Sequence, residues 1–477
     1  MTLTAPPAPA RLMPAVPRLV AVLDAVVGLL SLVTLSTVLT GGFRADVLGV
    51  RLSTTSWWRL AVVTLVVLVA RHAWRRSPSI LRRAWDGWRA WRRDPVTRAT
   101  WPVVATTRLG VLVIGLLAVH VIGYPQGRAP IRVAVGEVAN LPARFDAGWY
   151  LAIATQGYEY TPNRFDRQQN LVFFPAFPTA MAWLSLLFAR QVVWSGAVVS
   201  IVAFAWAMRY LYRLARELMD ADRAAVAVAL VAVYPFAVFF SAPYTEGLFL
   251  LAMLGAWWHL RRDERWAGFV WGFVAGLTRP NGCLLSVPLG LMVIAPLWKH
   301  GRLQRPVGGW LSLSDRLLVA AAPGLGMLAY SAYVYDLTGD PFMWIRLQAA
   351  WGRENIGVVS FLAAEWRSLG EQGVYGYATG DVPNFLNALA ALAFAASIVP
   401  VWRHFGAPAA VLIAVNLLPS LASGGWLSVG RATSVLFPVF LWLADAVPAR
   451  HRLIWIGAFA AVQGFAAALF FTWRPLF

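Results

Sequence analysis

Long apolar runs recur along the whole chain, and each is close to the ~20 residues that an α-helix needs to cross the core of a bilayer. Only 13% of the residues are charged, whereas soluble domains usually carry about a quarter. We therefore predict an all-α polytopic membrane protein with about 13 transmembrane helices. The predicted spans are residues 19–40, 57–73, 104–123, 191–211, 224–241, 247–261, 266–279, 283–298, 316–335, 384–401, 406–422, 432–448 and 453–472.

The formal net charge of +19 comes mainly from basic residues in short loops between these spans. Residues 71–99 alone carry nine Arg against two Asp. Lys and Arg retained in cytoplasmic loops orient membrane helices, so we interpret these residues as topology signals and expect no nucleic-acid partner. With 13 helices and a cytoplasmic N-terminus, every basic loop falls on the cytoplasmic face of the cell (plasma) membrane. The other basic loops are 209–223, 261–265, 299–305 and 450–452.

The chain divides into three predicted parts. Residues 1–18 are rich in Pro and Ala, which predicts a disordered cytoplasmic N-terminus. Residues 19–103 form a two-helix appendage with a basic cytoplasmic loop, and its first span is an uncleaved signal anchor. Trp85 and Trp88 in that loop follow helical spacing, so the loop is either an interfacial helix on anionic lipid or a solvated basic segment. Residues 104–477 form the main body.

Two long loops of the main body, 124–190 and 336–383, are predicted on the external face. Loops of this length tend to be functional, so we expect the site among them. The apolar stretch 173–188 has 16 residues and contains Pro175 and Pro178. This composition favours a juxtamembrane or re-entrant helix over a complete crossing.

Four polar patches occur at predicted helix ends or breaks, and the loop charges place all four on the external face. They carry Asp146, Glu246, Arg279 and Arg431. An ionisable residue at membrane depth costs about 2.5–3.5 kcal/mol on insertion scales, so it is a functional candidate. The alternative is an ordinary loop carboxylate, or an Arg that snorkels to the headgroups. Independent residues of that kind have no reason to share one face, so we predict that the four form one site.

The residue types in these patches suit one reaction. Arg side chains hold phosphate in bidentate fashion, aromatic side chains stack on sugars and isoprenoid chains, and a carboxylate takes the proton of an attacking hydroxyl. Together they predict glycosyl transfer from a lipid-phosphate sugar. We assign Asp146 as general base, and Arg279 and Arg431 as ligands of the donor phosphate. The predicted substrate or sugar contacts are Arg144, Trp149, Tyr150, Asn170, Phe173, Phe174, Tyr244, Glu246 and Asn281. For Glu246 the alternative is that its carboxylate supports an Arg.

We expect neither a cofactor nor a divalent metal. Only Asp146, Asp166 and Glu246 could supply metal ligands to this site, and their spacing matches no metal-binding loop. The single cysteine, Cys283, excludes an intramolecular disulfide and a cysteine-cluster metal site.

Several motifs resemble those of one family. The segment "RFDAGWYLAIATQGY" (144–158), followed by "NLVFFPAFP" (170–178), is similar to the Trp-Asp and Phe-Phe-Pro motifs of the PIG-V family, the second mannosyltransferases of GPI-anchor assembly, and of its bacterial relatives. "YTEGLFLL" (244–251) and "GLTRPNGCLL" (276–285) resemble the family's Glu and Arg-x-Asn-Gly elements. "GRATSVLFPVF" (430–440) resembles a more generic Arg and Phe-Pro helix start.

This resemblance implies a GT-C type glycosyltransferase, in which a catalytic acid lies in the first external loop of the core, the place that Asp146 takes. It also implies an inverting transfer of mannose from polyprenyl-phosphate mannose to an acceptor of the cell envelope. The sequence departs from the family at Phe145, which replaces the Trp that usually precedes the Asp. A Phe ring stacks as Trp does but lacks the indole N–H donor.

Two other functions stay open at this point. A lipid or glycolipid transporter (flippase) would carry charges near the midplane and broken helices at corresponding positions of two halves. A catalytically silent assembly subunit would keep the same architecture. The gathering of polar residues at one face favours the transferase. The acceptor is a glycolipid, a lipoglycan or a protein, and an accessory membrane subunit is a further candidate partner.

Overall fold

The computed structural model describes residues 18–42, 44–47, 50–53, 56–74, 79–127, 131–188, 191–299, 302–303, 309–353, 356–422, 425–426 and 428–476. Residues 1–17, nearly all of the predicted disordered N-terminus, lie outside the described residues.

Helices dominate the described chain. In order, the α-helices are α1 (Arg18–Thr40), α2 (Trp57–Trp74), α3 (Ile80–Arg93), α4 (Pro95–Val121), α5 (Glu137–Asn140), α6 (Ala147–Gln156), α7 (Ala176–Ser185), α8 (Val192–Leu218), α9 (Ala221–Ala232), α10 (Glu246–Arg261), α11 (Arg265–Thr278), α12 (Ser286–Ile294), α13 (Gly309–Thr338), α14 (Met343–Arg346), α15 (Val358–Gly380), α16 (Val382–Phe405), α17 (Ala407–Ala422), α18 (Val429–Thr433), α19 (Phe437–Ala446) and α20 (Arg452–Phe471). Short 3₁₀ helices occur at Asn170–Val172, Ala237–Ser241, Pro280–Leu285, Ala295–Leu297, Leu347–Trp351 and Ala449–His451. Two small antiparallel hairpins pair β1 (Arg44–Val47) with β2 (Val50–Ser53) and β3 (Trp298–Lys299) with β4 (Arg302–Leu303).

Each predicted span coincides with a helix over at least part of its length, and the all-α polytopic membrane architecture is confirmed. Within the described residues, eight helical segments are long and apolar enough to cross a membrane, and α17 and α19 are apolar but shorter. Helices α9, α10 and α11 have only 12, 16 and 14 residues, so the count of 13 crossings stays a prediction. The eight segments are Leu19–Val38, Trp57–Trp74, Pro95–Val121, Val192–Leu218, Pro280–Leu297, Gly309–Thr338, Val382–Phe405 and Ala449–Phe471.

Two predicted spans are wrong as continuous helices. In the span predicted at 224–241, α9 ends before Pro235, and in the span predicted at 432–448 the chain leaves the helix between α18 and α19, ahead of Pro438. A proline lacks the backbone donor and its ring clashes with the carbonyl four residues earlier. Because of the second break, Arg431 lies on the short helix α18 and not at the N-terminal end of a long helix.

The two loops predicted as long external segments contain helices of their own. The loop 336–383 holds α14, the 3₁₀ turn Leu347–Trp351 and α15, while the loop 124–190 holds α5, α6 and α7. Helix α7 has ten residues and is therefore about 15 Å long, roughly half of the bilayer core. Its length agrees with the prediction that 173–188 is not a full crossing.

The first of two compact units contains α1, α2, α3, the β1–β2 hairpin and residues 186–188. Asp24 lies on the apolar helix α1, where a carboxylate needs a partner. Arg71, which is fully buried, contacts Asp24 at 2.6 Å through Nε, and Arg83 contacts the same carboxylate. Ion pairs within the unit therefore neutralise this acid.

Helix α3 lies in the basic segment for which the sequence predicted either an interfacial helix or a solvated loop. The rings of Trp85 and Trp88 stack with centroids 4.8 Å apart, and Arg89 and Arg92 each lie over one of them at 4.9 and 4.8 Å. The helical spacing is confirmed, and its contact with anionic lipid stays a prediction.

The second compact unit comprises α4 to α20. Helix α4 begins at Pro95, ahead of the predicted start at residue 104, because the Asp94 side chain accepts the Thr97 N–H (3.2 Å) as an N-cap and proline suits the first helical turn.

Glycines allow the central helices of this unit to approach closely. A Cβ atom on Gly247 would lie 2.5 Å from the Ser200 carbonyl oxygen, and one on Gly276 would lie 1.9 Å from the Pro323 carbonyl oxygen. Only a residue without a side chain fits at such distances. These contacts place the start of α10 against α8 and the end of α11 against α13. The predicted site residue Glu246 is the first residue of α10.

Candidate active site

Asp146 lies immediately before α6, and buried side chains fix the backbone around it. Arg144 is fully buried and donates from Nε to the Phe471 carbonyl and from Nη1 to the Asn140 carbonyl, both at 2.7 Å. The Tyr244 hydroxyl accepts the Asp146 N–H (3.1 Å) and donates to the Arg144 carbonyl (3.2 Å). Burial raises the pKa of Tyr244 well above its usual value, so the phenol stays protonated and makes both bonds.

The residue directly before Asp146 has a strained backbone. Phe145 adopts φ 45°, in the left-handed region that bulky residues rarely enter, at a cost of roughly 1–3 kcal/mol. Its ring packs against Phe470 and Trp473, with centroids 5.7 and 4.9 Å away. Tertiary packing therefore holds the turn that presents the Asp146 carboxylate.

The four ionisable residues predicted to form a site do meet. Arg431 Nη1 donates to Asp146 Oδ2 at 2.6 Å, and Arg431 Nε lies 2.6 Å from Glu246 Oε1. Arg279 Nη1 lies 3.3 Å from the same Glu246 oxygen. The result is a chain of alternating charges in the order Asp146, Arg431, Glu246 and Arg279. We call these four residues the charge cluster.

Burial within the charge cluster increases from one end to the middle. The Asp146 side chain is 20% exposed, that of Arg431 is 8% exposed and that of Glu246 is inaccessible. Burial disfavours the charged form of Arg431, but the carboxylates of Glu246 and Asp146 outweigh it and raise the pKa of this guanidinium. Arg431 also lies over the Tyr244 ring at 5.1 Å. Asp146 is thus the member that a substrate reaches most easily.

Aromatic side chains form a wall beside Asp146. Trp149, one turn further along α6, stacks on Phe173 with centroids 6.0 Å apart. Trp351 packs edge-on against both rings, at 5.2 and 5.3 Å. Tyr150 is buried and packs edge-on against Phe173 at 5.1 Å. Trp351 was not among the predicted site residues, because it lies in a separate loop and belongs to no motif.

Other residues predicted to contact a sugar form hydrogen bonds or packing contacts within the protein. The Asn170 side chain accepts the Glu159 N–H and donates to the Gly157 carbonyl, both at 3.1 Å. Phe174 is 1% exposed and packs in the core. The side chains of Arg144 and Tyr244 form hydrogen bonds with main-chain groups, as described above. Their roles as sugar ligands stay predictions, and their observed contacts favour positioning roles.

Asn281 lies two residues beyond Arg279, in the 3₁₀ turn Pro280–Leu285. Its Nδ2 donates to Asn416 Oδ1 on α17 at 2.9 Å. This contact ties the turn after Arg279 to a neighbouring helix. The contact of Asn281 with a sugar hydroxyl stays a prediction.

Among the described residues, no group of three or more His, Cys, Asp or Glu side chains is arranged to hold a metal ion. Asp166, the third predicted acid, is exposed and forms a bidentate pair with Arg164 at 3.0 and 3.2 Å. The independence of the reaction from metal stays a prediction.

Comparisons with known proteins agree with the motif resemblance. The family model described as Mannosyltransferase (PIG-V) matches residues 132–404, more than half of the chain. The GPI alpha-1,6-mannosyltransferase 2 of Mus musculus is 31% identical over 180 residues, which cover 35% of this chain and 34% of the mouse protein. The Rattus norvegicus protein of the same name is 32% identical over 156 residues, 30% of each chain. The matched region spans about a third of these curated relatives.

Among solved structures, the chain is similar to the oligosaccharyltransferase of Archaeoglobus fulgidus. The crystal structure tethered to an acceptor peptide has a TM-score of 0.40 and 13% sequence identity, over 77% of this chain and 55% of that one. The complex with Zn and sulfate has a TM-score of 0.37 and 12% identity, over 77% and 53%. The extent of the family match, which includes the segments of Asp146, Glu246 and Arg279, decides the assignment: this multi-pass membrane chain belongs to the Mannosyltransferase (PIG-V) family.

Proposed function

We propose that this protein is a GT-C type glycosyltransferase of the plasma membrane, which transfers a mannosyl residue from polyprenyl-phosphate mannose to a lipid-linked or other cell-envelope acceptor. The observation that carries the proposal is the exposed end of the charge cluster: Asp146 stands at an aromatic wall with one oxygen held by Arg431. Family membership supports the sugar, and the basic loops support a site on the external face.

The geometry suits an inverting displacement. Oδ2 of Asp146 accepts from Arg431, while Oδ1 has no hydrogen bond in the described part of the chain and is available to an acceptor hydroxyl. The acceptor oxygen forms a bond to C1 of mannose as the bond from C1 to the phosphate oxygen breaks. Asp146 takes the hydroxyl proton, and polyprenyl phosphate leaves with the bonding electrons.

Arg431 has a second part in this scheme. When Asp146 accepts the proton its charge disappears, and Arg431 loses the electrostatic partner at Nη1. The guanidinium is then free to attract the phosphate that gains charge in the same step. Glu246 keeps Arg431 oriented through Nε, 2.6 Å away, during this exchange. The aromatic wall of Trp149 and Phe173 would stack on the sugar or on the prenyl chain.

The test is Asp146→Asn in membranes supplied with radiolabelled polyprenyl-phosphate mannose. We expect mannosyl transfer to fall by at least about 100-fold, the lower range for loss of a positioned base, with normal membrane insertion. Asp166→Asn is the matched control, because Asp166 lies in the same loop and forms its ion pair with exposed Arg164. Full activity of Asp146→Asn would exclude the base. A parent protein without any transfer would favour a flippase or a silent assembly subunit.

A further inference from the structure

The charge cluster is electrically balanced, and this balance bears on how a phosphate is bound. Asp146 and Glu246 supply two negative charges, and Arg279 and Arg431 supply two positive charges, with contacts of 2.6 to 3.3 Å between them. An anionic donor that approaches this cluster meets no excess of positive charge. A phosphate held only by Arg279 and Arg431 would compete with these two carboxylates for the same guanidinium groups.

A further arginine lies two residues beyond Trp351 of the aromatic wall, on a different element from the charge cluster. Arg353 follows the 3₁₀ turn Leu347–Trp351, and its backbone N–H bonds to the Gln348 carbonyl at 3.4 Å. Gly352 between them adopts φ 70°, a left-handed conformation that glycine reaches without strain. Trp351 packs on the aromatic wall, so the turn carries Arg353 to the edge of that wall.

The surroundings of Arg353 agree with a position facing the site. Its side chain is exposed, and it makes neither a hydrogen bond nor an ion pair within the described residues. Desolvation by nearby protein lowers its pKa first, Arg431 and Arg279 lower it further, and Asp146 opposes them. These electrostatic influences agree with a position of Arg353 near the charge cluster. The buried Trp351 Nε1 also has no acceptor in the described chain.

We propose that Arg353 is the main ligand of the donor phosphate, with the guanidinium bidentate to two phosphate oxygens, and that Arg279 chiefly orients Glu246. This inference rests on the proposed function, because it names the group that recognises the lipid-phosphate part of that donor. Arg353 adds one positive charge, without an ion pair among the described residues, to a balanced cluster, so the site attracts a phosphodiester without breaking the Asp146–Arg431 contact. The Trp351 N–H supplies a further donor to the same phosphate.

The test measures binding separately from turnover. Parent protein, Arg353→Gln and Arg353→Lys are purified in detergent, and the Kd for polyprenyl phosphate is determined. Since hydrogen bonds to charged groups typically contribute about 1.5–3 kcal/mol, Arg353→Gln should weaken binding about 10- to 100-fold. Arg353→Lys keeps the charge but loses the bidentate geometry, so a loss of about three- to tenfold is expected. The donor KM in membranes should rise in parallel.

Arg346→Gln is the matched control, since Arg346 lies in the same loop, is 64% exposed and pairs with Asp340. Its Kd should equal that of the parent. An unchanged Kd in Arg353→Gln would overturn the inference, and so would equal displacement of polyprenyl phosphate by phosphatidylglycerol, which would make Arg353 a headgroup contact. A parent that binds polyprenyl phosphate through Arg353 but makes no mannosylated product would refute the proposed function and support the phosphate site.

Discussion

The replacement Glu246→Gln tests the charge cluster most directly, because Glu246 is its only fully inaccessible member. One oxygen of this carboxylate faces Arg431 at 2.6 Å and Arg279 at 3.3 Å. Glutamine has nearly the same volume, so the variant removes charge with little change in packing. Two guanidinium groups then share the single carboxylate of Asp146.

The magnitude follows from the distances and from burial. A unit charge pair 3.3 Å apart attracts by about 5 kcal/mol at an effective dielectric constant of about 20. Removing one partner of a buried pair costs about 3–5 kcal/mol, because the other charge stays desolvated. We expect Glu246→Gln to lower the free energy of unfolding by about that amount. Transfer should also fall strongly, since Arg431 loses the contact at Nε that orients it.

The assay is thermal unfolding of the detergent-solubilised protein, followed by intrinsic Trp fluorescence, together with mannosyl transfer in membranes. Glu217→Gln is the control: its side chain is 32% exposed, and it contacts Arg262 at 3.1 Å and Arg261 at 3.4 Å. Exposed pairs of this kind contribute about 0–1 kcal/mol. The double variant with Glu246→Gln and Arg279→Gln removes one charge of each sign and should recover part of the lost stability. If Glu246→Gln has the same melting temperature and the same activity as the parent, the charge cluster does not stabilise the protein as we expect.

Two further predictions follow from the contacts around Asp146 and from the first compact unit. Tyr244→Phe removes the hydroxyl that bonds the backbone on both sides of Phe145. We expect the free energy of unfolding to fall by about 1–3 kcal/mol and kcat to fall about tenfold, with an unchanged donor KM. An unaltered kcat would show that this hydroxyl does not position Asp146. Asp24→Asn removes the carboxylate that buried Arg71 contacts. The melting temperature should fall, while the transfer kinetics of the folded protein stay constant. A changed donor KM would contradict a purely structural role for that ion pair.

The predicted phosphate ligands show what residue type indicates and what only the structure adds. Arg279 and Arg431 were predicted to bind the donor phosphate because guanidinium groups suit that task. The structure engages both with Glu246, and the carboxylate that neutralises them comes from a different segment. Arg144, two residues before Asp146, is fully buried and bonds to main-chain carbonyls, which its residue type alone does not indicate.

The sequence alone determined the helical membrane architecture, because a helix that crosses a bilayer needs a continuous apolar run of about 20 residues. It also singled out Asp146, Glu246, Arg279 and Arg431, since ionisable groups stand out against such a background. Only the tertiary structure decided that Asp146 and Arg431, 285 positions apart, share a hydrogen bond, and that Trp351 packs against Trp149 and Phe173. Such pairings depend on which helices become neighbours, and the choice of neighbour leaves no local pattern in the sequence.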